Sequence, residues 1–189
     1  MHKLMIRMGA LVVFTGLSSG IAAAQVPTAG NVYFGYTYYN TNLTLNRGSL
    51  TGWEGSLEGK LAPFLGIVAD LTGHYGTLDF PNATGTCVIG GTCPPISASA
   101  HVYEALFGPR VSVPIGRFRP FGELEVGVAH VNTNGFGSST SYGTAVGGGL
   151  DYRIFRPLAW RFEGDYVRTH LFSTSQNNLR LSTGIVLRF

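Results

Sequence analysis

The residues whose types would suit catalysis are few and poorly placed for it. His170 and Ser173 have the types of a general base and a nucleophile. They are separated by only two residues at a predicted strand–loop junction, so the serine does not share the face of the histidine. No acidic residue lies nearby in sequence to orient the imidazole. We therefore expect no catalytic site.

The other candidate metal ligands do not converge. Alternation along the predicted strands places His74 on the inward face and His101 and His130 on the outward face. A metal ion needs ligands that approach from a common side, so the sequence predicts no metal site and no cofactor. The glycine run at 147–149 is not a phosphate loop, because no helical pattern follows it. Glycines within a strand more often make room for a neighbouring side chain or a bend.

Cys87 and Cys93 are the only two cysteines. They lie in a segment rich in Gly, Pro and Thr, without a nearby His, Asp or Glu to complete a metal site. In an oxidising compartment such a pair favours a local disulfide.

The N-terminus has the features of an export signal. Lys3 and Arg7 precede a short apolar stretch, and small residues end it at Ala24. We predict a signal peptide over residues 1–24 and a single domain over residues 25–189. Without Lys3 and Arg7 that domain has 11 basic and 10 acidic residues, so its charge gives no reason to expect nucleic acid as a partner.

The composition favours a membrane protein built from strands. Charged residues are 12% of the chain, about half the share in soluble domains. Aromatic residues are also 12%, and there are 27 glycines. The domain has no apolar run long enough for a membrane-spanning helix.

Eight segments alternate apolar and polar residues over roughly ten positions, the length of a tilted strand that crosses a bilayer. They are 31–39, 52–61, 66–78, 98–112, 118–131, 140–153, 158–169 and 178–189. The short connections are 62–64, 113–117 and 154–157, and the long ones are 40–51, 79–97, 132–139 and 170–177. Short turns on one side and long loops on the other are typical of outer-membrane barrels. We predict an all-β fold, an eight-stranded antiparallel up-and-down transmembrane β-barrel with periplasmic termini.

Charges within one strand share one face. We take the first charged residue of each predicted strand as the reference and ask whether the later charged residues of that strand share its odd or even residue number. Nine of these ten residues do, and only Arg168 differs. A lipid-facing surface is apolar, so these charges are expected to point into the lumen and pair across it. The predicted network comprises Glu54, Glu58, Lys60, Asp70, Glu104, Arg110, Glu123, Glu125, Asp151, Arg153, Arg161, Glu163, Asp165, Arg180 and Arg188. The alternative is a hydrated lumen through which small solutes leak.

The opposite faces of the strands are apolar, as Leu124, Val126 and Val128 illustrate. Aromatic residues bunch near both ends of the strands, which is the double girdle expected of a membrane barrel.

The last strand alternates to its end and finishes with Ile185, Leu187 and Phe189. In this strand, and in the hairpin over 107–121, the chain resembles the outer-membrane β-barrel superfamily of the outer-membrane-protein-A type, often called porin-family proteins. The resemblance implies that the three terminal residues are read by the barrel-assembly machinery. It also implies a monomer in the outer membrane of a Gram-negative bacterium, in contact with its lipids and lipopolysaccharide. The namesake's peptidoglycan-binding domain has no counterpart before the sequence ends at Phe189, so that role is not expected.

We therefore expect a non-enzymatic barrel with a structural or loop-presenting role and a lumen plugged by charges. The loops at 41–51 and 79–96 are the expected contact surfaces. A small-solute porin is the main alternative, and an enzyme that modifies lipid A through His170 and Ser173 is a distant one.

Overall fold

A computed structural model describes residues 29–42, 48–80, 95–135, 137–171 and 175–189. These residues form eight strands: β1 (Gly30–Thr41), β2 (Gly48–Ala62), β3 (Leu65–Phe80), β4 (Ile96–Ser112), β5 (Phe118–Thr133), β6 (Gly137–Arg153), β7 (Leu158–Thr169) and β8 (Gln176–Arg188). The predicted signal peptide, Cys87 and Cys93 lie outside the described residues. Among the described residues, no helix is long and apolar enough to cross a bilayer.

The strands close into one barrel. Each strand pairs antiparallel with the next, and β1 pairs with β8 from Asn31↔Arg188 to Asn40↔Leu179 to complete the ring. Every strand therefore has a neighbour on both sides and no sheet edge is left, which is what strands in lipid require. The predicted eight-stranded antiparallel up-and-down barrel is confirmed.

The barrel wall is inverted relative to a soluble protein. In β5, Glu123 and Glu125 are buried inside, whereas Leu124 and Val128 are 55% and 54% exposed on the outside. Successive side chains of a strand point to opposite faces, so this alternation separates a charged lumen from an apolar outer surface. Such a surface suits a barrel surrounded by hydrocarbon.

The connections differ in length at the two ends of the barrel, which we call the turn end and the loop end. The turn-end connections are residues 63–64, 113–117 and 154–157, close to prediction. The loop-end connections span 42–47, 81–95, 134–136 and 170–175. The third is shorter than the predicted 132–139, because β5 and β6 stay paired as far as Thr133↔Gly137. Gly135 and Gly137 both have a φ of 86°, a backbone conformation that glycine adopts without strain.

Candidate functional site

The lumen is the part of the structure where polar groups concentrate, and its inward side chains lie in layers. The layer nearest the turn end, the turn-end ionic layer, is organised by Arg110 and Arg161. Its members are Glu58, Lys60, Arg110, Glu123, Asp151, Arg161, Glu163 and Arg188.

Arg110 joins carboxylates from three strands. Its Nε lies 2.5 Å from Glu123 Oε2, its Nη2 lies 3.2 Å from Glu163 Oε1, and its Nη1 lies 3.6 Å from Glu58 Oε2. Lys60 forms a second ion pair with Glu58. Charge-assisted hydrogen bonds of this kind are among the strongest in proteins.

Arg161 ties β7 to β6. Its Nε donates to Asp151 Oδ1 at 2.7 Å, and Arg188 Nη2 donates to Asp151 Oδ2 at 3.0 Å. The ring of Phe121 lies beside both guanidinium groups, 4.6 Å from Arg110 Cζ and 4.5 Å from Arg161 Cζ. Cation–π contact of this kind adds attraction without another charge in the lumen.

The second layer, the Arg180 layer, surrounds one guanidinium group with five carboxylates. Arg180 Nη2 lies 2.8 Å from Asp70 Oδ2 and 2.9 Å from Asp165 Oδ2. Glu104, Glu125 and Glu54 approach to 3.7, 3.7 and 3.8 Å. Arg180 is on β8, so this one side chain connects six of the eight strands.

A chain of polar contacts covers the Arg180 layer on its loop-end side. Tyr39 Oη donates to Glu104 Oε1 at 2.7 Å, and the Tyr39 ring lies 4.3 Å from that of His74. His74 Nε2 lies 3.4 Å from Thr37 Oγ1. His74 therefore has the inward position that alternation predicted, beside Thr37 and Tyr39.

The loop-end half of the lumen contains a large cluster of apolar side chains, a feature that sequence reasoning missed. This apolar layer consists of Tyr39, Leu50, Leu78, Phe80, Ala98, Ala100, Val102, Leu106, Val131, Ala145, Val167 and Leu171. The odd or even numbering of the charged residues could have predicted this apolar layer. Leu50 shares the parity of Glu54, and Val131 shares that of Glu123, so both had to point inward.

The basic residues nearest the turn end lie at the rim of the lumen. Arg153 is half-buried, and its Nη2 donates to the carbonyl of Gly116 at 3.0 Å, so it ties β6 to a turn. It forms none of the lumen ion pairs found among the described residues. Arg119 and Arg188 line a cleft of about 500 Å³ at the same end.

The residues of the C-terminal assembly signal line the outer wall near the turn end. Leu187 and Phe189 are exposed and Ile185 is half-buried. Phe189 exchanges two backbone hydrogen bonds with Gly30, at 3.0 and 3.1 Å, which extends the pairing of β8 with β1.

The other described histidines lie at the loop end. His130 Nδ1 lies 2.7 Å from Thr140 Oγ1, and His101 contacts the edge of the Tyr75 ring. His170 Nδ1 lies 3.1 Å from Ser175 Oγ, and its ring stacks on Tyr142. Ser173 lies outside the described residues.

Several solved structures share this barrel. No protein-family model matches the chain, and no curated protein matches it in sequence. Neisserial surface protein A (NspA) is 14% identical with a TM-score of 0.65, over 85% of this chain and 99% of that one. Ail, the attachment invasion locus protein of Yersinia pestis, is 14% identical with a TM-score of 0.56, over 85% and 98%. The outer membrane protein OprG of Pseudomonas aeruginosa is 11% identical with a TM-score of 0.57, over 85% and 95%.

At these identities the likeness establishes the fold and nothing finer. The chain has the fold of the eight-stranded outer-membrane β-barrels. This is the fold that its sequence resemblance to the outer-membrane β-barrel superfamily implied.

Proposed function

We propose that this protein is an integral outer-membrane protein whose barrel is a sealed scaffold, with a structural or loop-presenting role rather than pore or enzyme activity. The observation that carries the proposal is the stack of the turn-end ionic layer, the Arg180 layer and the apolar layer across the lumen. An eight-stranded barrel is just wide enough for side chains to fill.

The burial of the ionic groups supports a closed lumen. Arg180 and Glu54 are 0% exposed, and Arg110, Asp70 and Arg161 are 1% exposed. A continuous water-filled path would leave such groups accessible to solvent. Buried charges persist when opposite charges and hydrogen bonds satisfy them, which the two ionic layers provide.

The outer surface supports a membrane location. Exposed aromatic side chains lie at the turn end, among them Phe64, Phe155 and Phe189. Others, including Tyr103 and Tyr142, lie toward the loop end. Aromatic girdles mark the two interfaces of a bilayer. Outer-membrane lipids and lipopolysaccharide are the partners that this surface fits, with the barrel-assembly machinery engaged through the terminal strand during insertion.

Two proteins of this fold support a loop-presenting role. NspA is a surface protein, and Ail is an attachment protein that has been crystallised with the heparin analogue sucrose octasulfate. In the present chain the longest loop-end connection is residues 81–95. A rigid, sealed barrel would hold such a segment at the cell surface, where loops carry binding functions.

A solute-flux assay tests the sealed scaffold. Liposomes that contain the folded protein should swell in an isotonic solution of a small neutral sugar no faster than empty liposomes, because the layers leave no continuous path. Folding is checked by the gel shift between unboiled and boiled samples. Swelling that rises with the amount of folded protein would instead establish a small-solute porin.

A further inference from the structure

Basic side chains outnumber acidic ones at the turn end of the barrel. Arg119, Arg153 and Arg188 lie at the rim of the lumen, and Arg156 lies on the turn between β6 and β7. Of these four residues, Arg188 pairs with Asp151. The other three form none of the ion pairs found among the described residues. Three arginines without an acidic partner therefore share one end of the barrel.

These arginines surround two clefts. The first cleft has a volume of about 500 Å³ and is lined by Lys60, Arg119 and Arg188, among other residues. The second has a volume of about 320 Å³, and its charged lining residues are Arg119, Arg153, Arg156 and Arg188. Among the described residues, no Asp or Glu side chain lines either cleft. The charged side chains that line both clefts are therefore all basic.

Two of the lining arginines have a buried donor without an acceptor among the described residues. Arg119 Nε and Arg188 Nε are both shielded from solvent, and neither donates a hydrogen bond to the part of the chain that the structure describes. A buried N–H group without an acceptor costs free energy, and like charges held close together repel one another. An anion bound between the arginines would accept hydrogen bonds from these donors and offset the repulsion.

Exposed aromatic side chains adjoin the arginines. Phe155 and Phe189 line the second cleft, and they are 59% and 60% exposed. Exposed aromatic residues at the end of a membrane barrel mark the bilayer interface. With the membrane location proposed above, on which this inference rests, the arginines lie at the level of the lipid headgroups around the turn end. Apolar side chains in the wall of the cleft suit a lipid better than a small soluble anion.

We propose that the second cleft, with Arg119, Arg153 and Arg156, binds the headgroup phosphate of an anionic phospholipid in the leaflet around the turn end. A guanidinium group matches the geometry of phosphate oxygens and binds them through paired hydrogen bonds. Basic pockets at a membrane surface attract anionic headgroups in this way. Phe155 and Phe189 offer apolar contact to the rest of the same lipid. A zwitterionic lipid carries a cation of its own, so the cleft favours the anionic one.

Spin-labelled lipids test this site in vesicles of phosphatidylcholine that contain the folded full chain. Electron paramagnetic resonance measures the fraction of labelled lipid whose motion the protein restricts, for labelled phosphatidylglycerol and labelled phosphatidylcholine in turn. We expect phosphatidylglycerol to associate about fivefold more strongly, the gain that one arginine gives near an anionic headgroup. Arg119→Gln and Arg156→Gln should each lower this ratio while keeping the gel shift of a folded barrel.

Arg117→Gln is the matched control. Arg117 is exposed at the same end of the barrel and lines neither cleft, so this variant removes the same charge and should leave the ratio nearly unchanged. Equal association of the two lipids with the wild-type protein would overturn the proposal, and so would a loss with Arg117→Gln as large as that with Arg119→Gln. In both cases restricted phosphatidylcholine would still place the barrel in lipid, and the membrane location would stand. If neither lipid were restricted, the membrane location and this site would both be wrong.

Discussion

Arg180 forms more ion pairs than any other lumen residue that the structure describes. Its guanidinium group is fully buried and lies within 4 Å of carboxylates from five strands. Removing one partner of a buried ion pair leaves the other charge without compensation, which costs far more than the pair contributes by being present. Loss of Arg180 would remove the shared ion-pair partner of five buried carboxylates.

We therefore predict that Arg180→Met lowers the free energy of unfolding by about 3–5 kcal/mol, the range seen when buried pairs are broken. Urea titration of the barrel in micelles or vesicles measures it. Arg168→Met is the matched control, because Arg168 is exposed on the outer wall near the loop end. Charge near a bilayer interface contributes only about 0–1 kcal/mol. Equal effects of the two substitutions would show that the Arg180 layer does not stabilise the barrel.

At the residue scale, alternation predicted which side chains enter the lumen but not how they pair. Glu54, Asp70 and Arg180 each follow from parity alone, since a lipid-facing wall excludes charge. Their meeting depends on the register between strands that are distant in sequence, which alternation does not determine. Arg153 has the inward parity as well, yet it lies so near the turn that its guanidinium group binds a backbone carbonyl instead.

The strands form the surface that contacts the membrane, and the outward residues along each strand lie at different depths in the bilayer. In β5, Leu124 lies near the middle of the strand and Phe118 at its turn-end start, both on the outer wall. The cost of a charge on the lipid face rises from the interface to the middle of the bilayer. The two positions thus differ in depth within one strand.

We predict that Leu124→Arg lowers the free energy of unfolding by about 2–4 kcal/mol, while Phe118→Arg lowers it by about 0–1 kcal/mol. Urea unfolding in phospholipid vesicles gives both values. The same pair measured in urea with short-chain detergent should differ less, because a micelle adapts to the charge. A larger loss for Phe118→Arg would mean that the barrel sits in the bilayer at a different depth.

At the element scale, the sequence located all eight strands but made seven of them too short at the loop end, β7 being the exception. The alternation of apolar and polar residues ends where the wall no longer faces hydrocarbon, whereas backbone pairing continues beyond it. Ser138 pairs with Asn132 in this polar extension of β5 and β6. Threonine, serine and asparagine carry no apolar signal, so hydrophobic periodicity stops short of them.

In the proposed sealed scaffold, two kinds of side chain close the lumen of the whole molecule. Ionic side chains dominate the half toward the turn end, and apolar side chains pack beside buried polar ones such as Gln176 and Asn178 in the half toward the loop end. An ion that crossed a sealed lumen would have to displace the Arg180 contacts and then pass among buried apolar side chains, and the second step is costly for any charge. Under this proposal the two halves would block ions by different physical means.

Single-channel recording of the folded barrel in planar bilayers tests most directly whether the lumen is sealed. We expect no current steps above the unmodified bilayer, with folding of the same protein sample verified by its gel shift. Discrete and reproducible steps, whose size scales with salt concentration, would contradict it and show that a continuous aqueous path runs past Arg180 and the apolar layer.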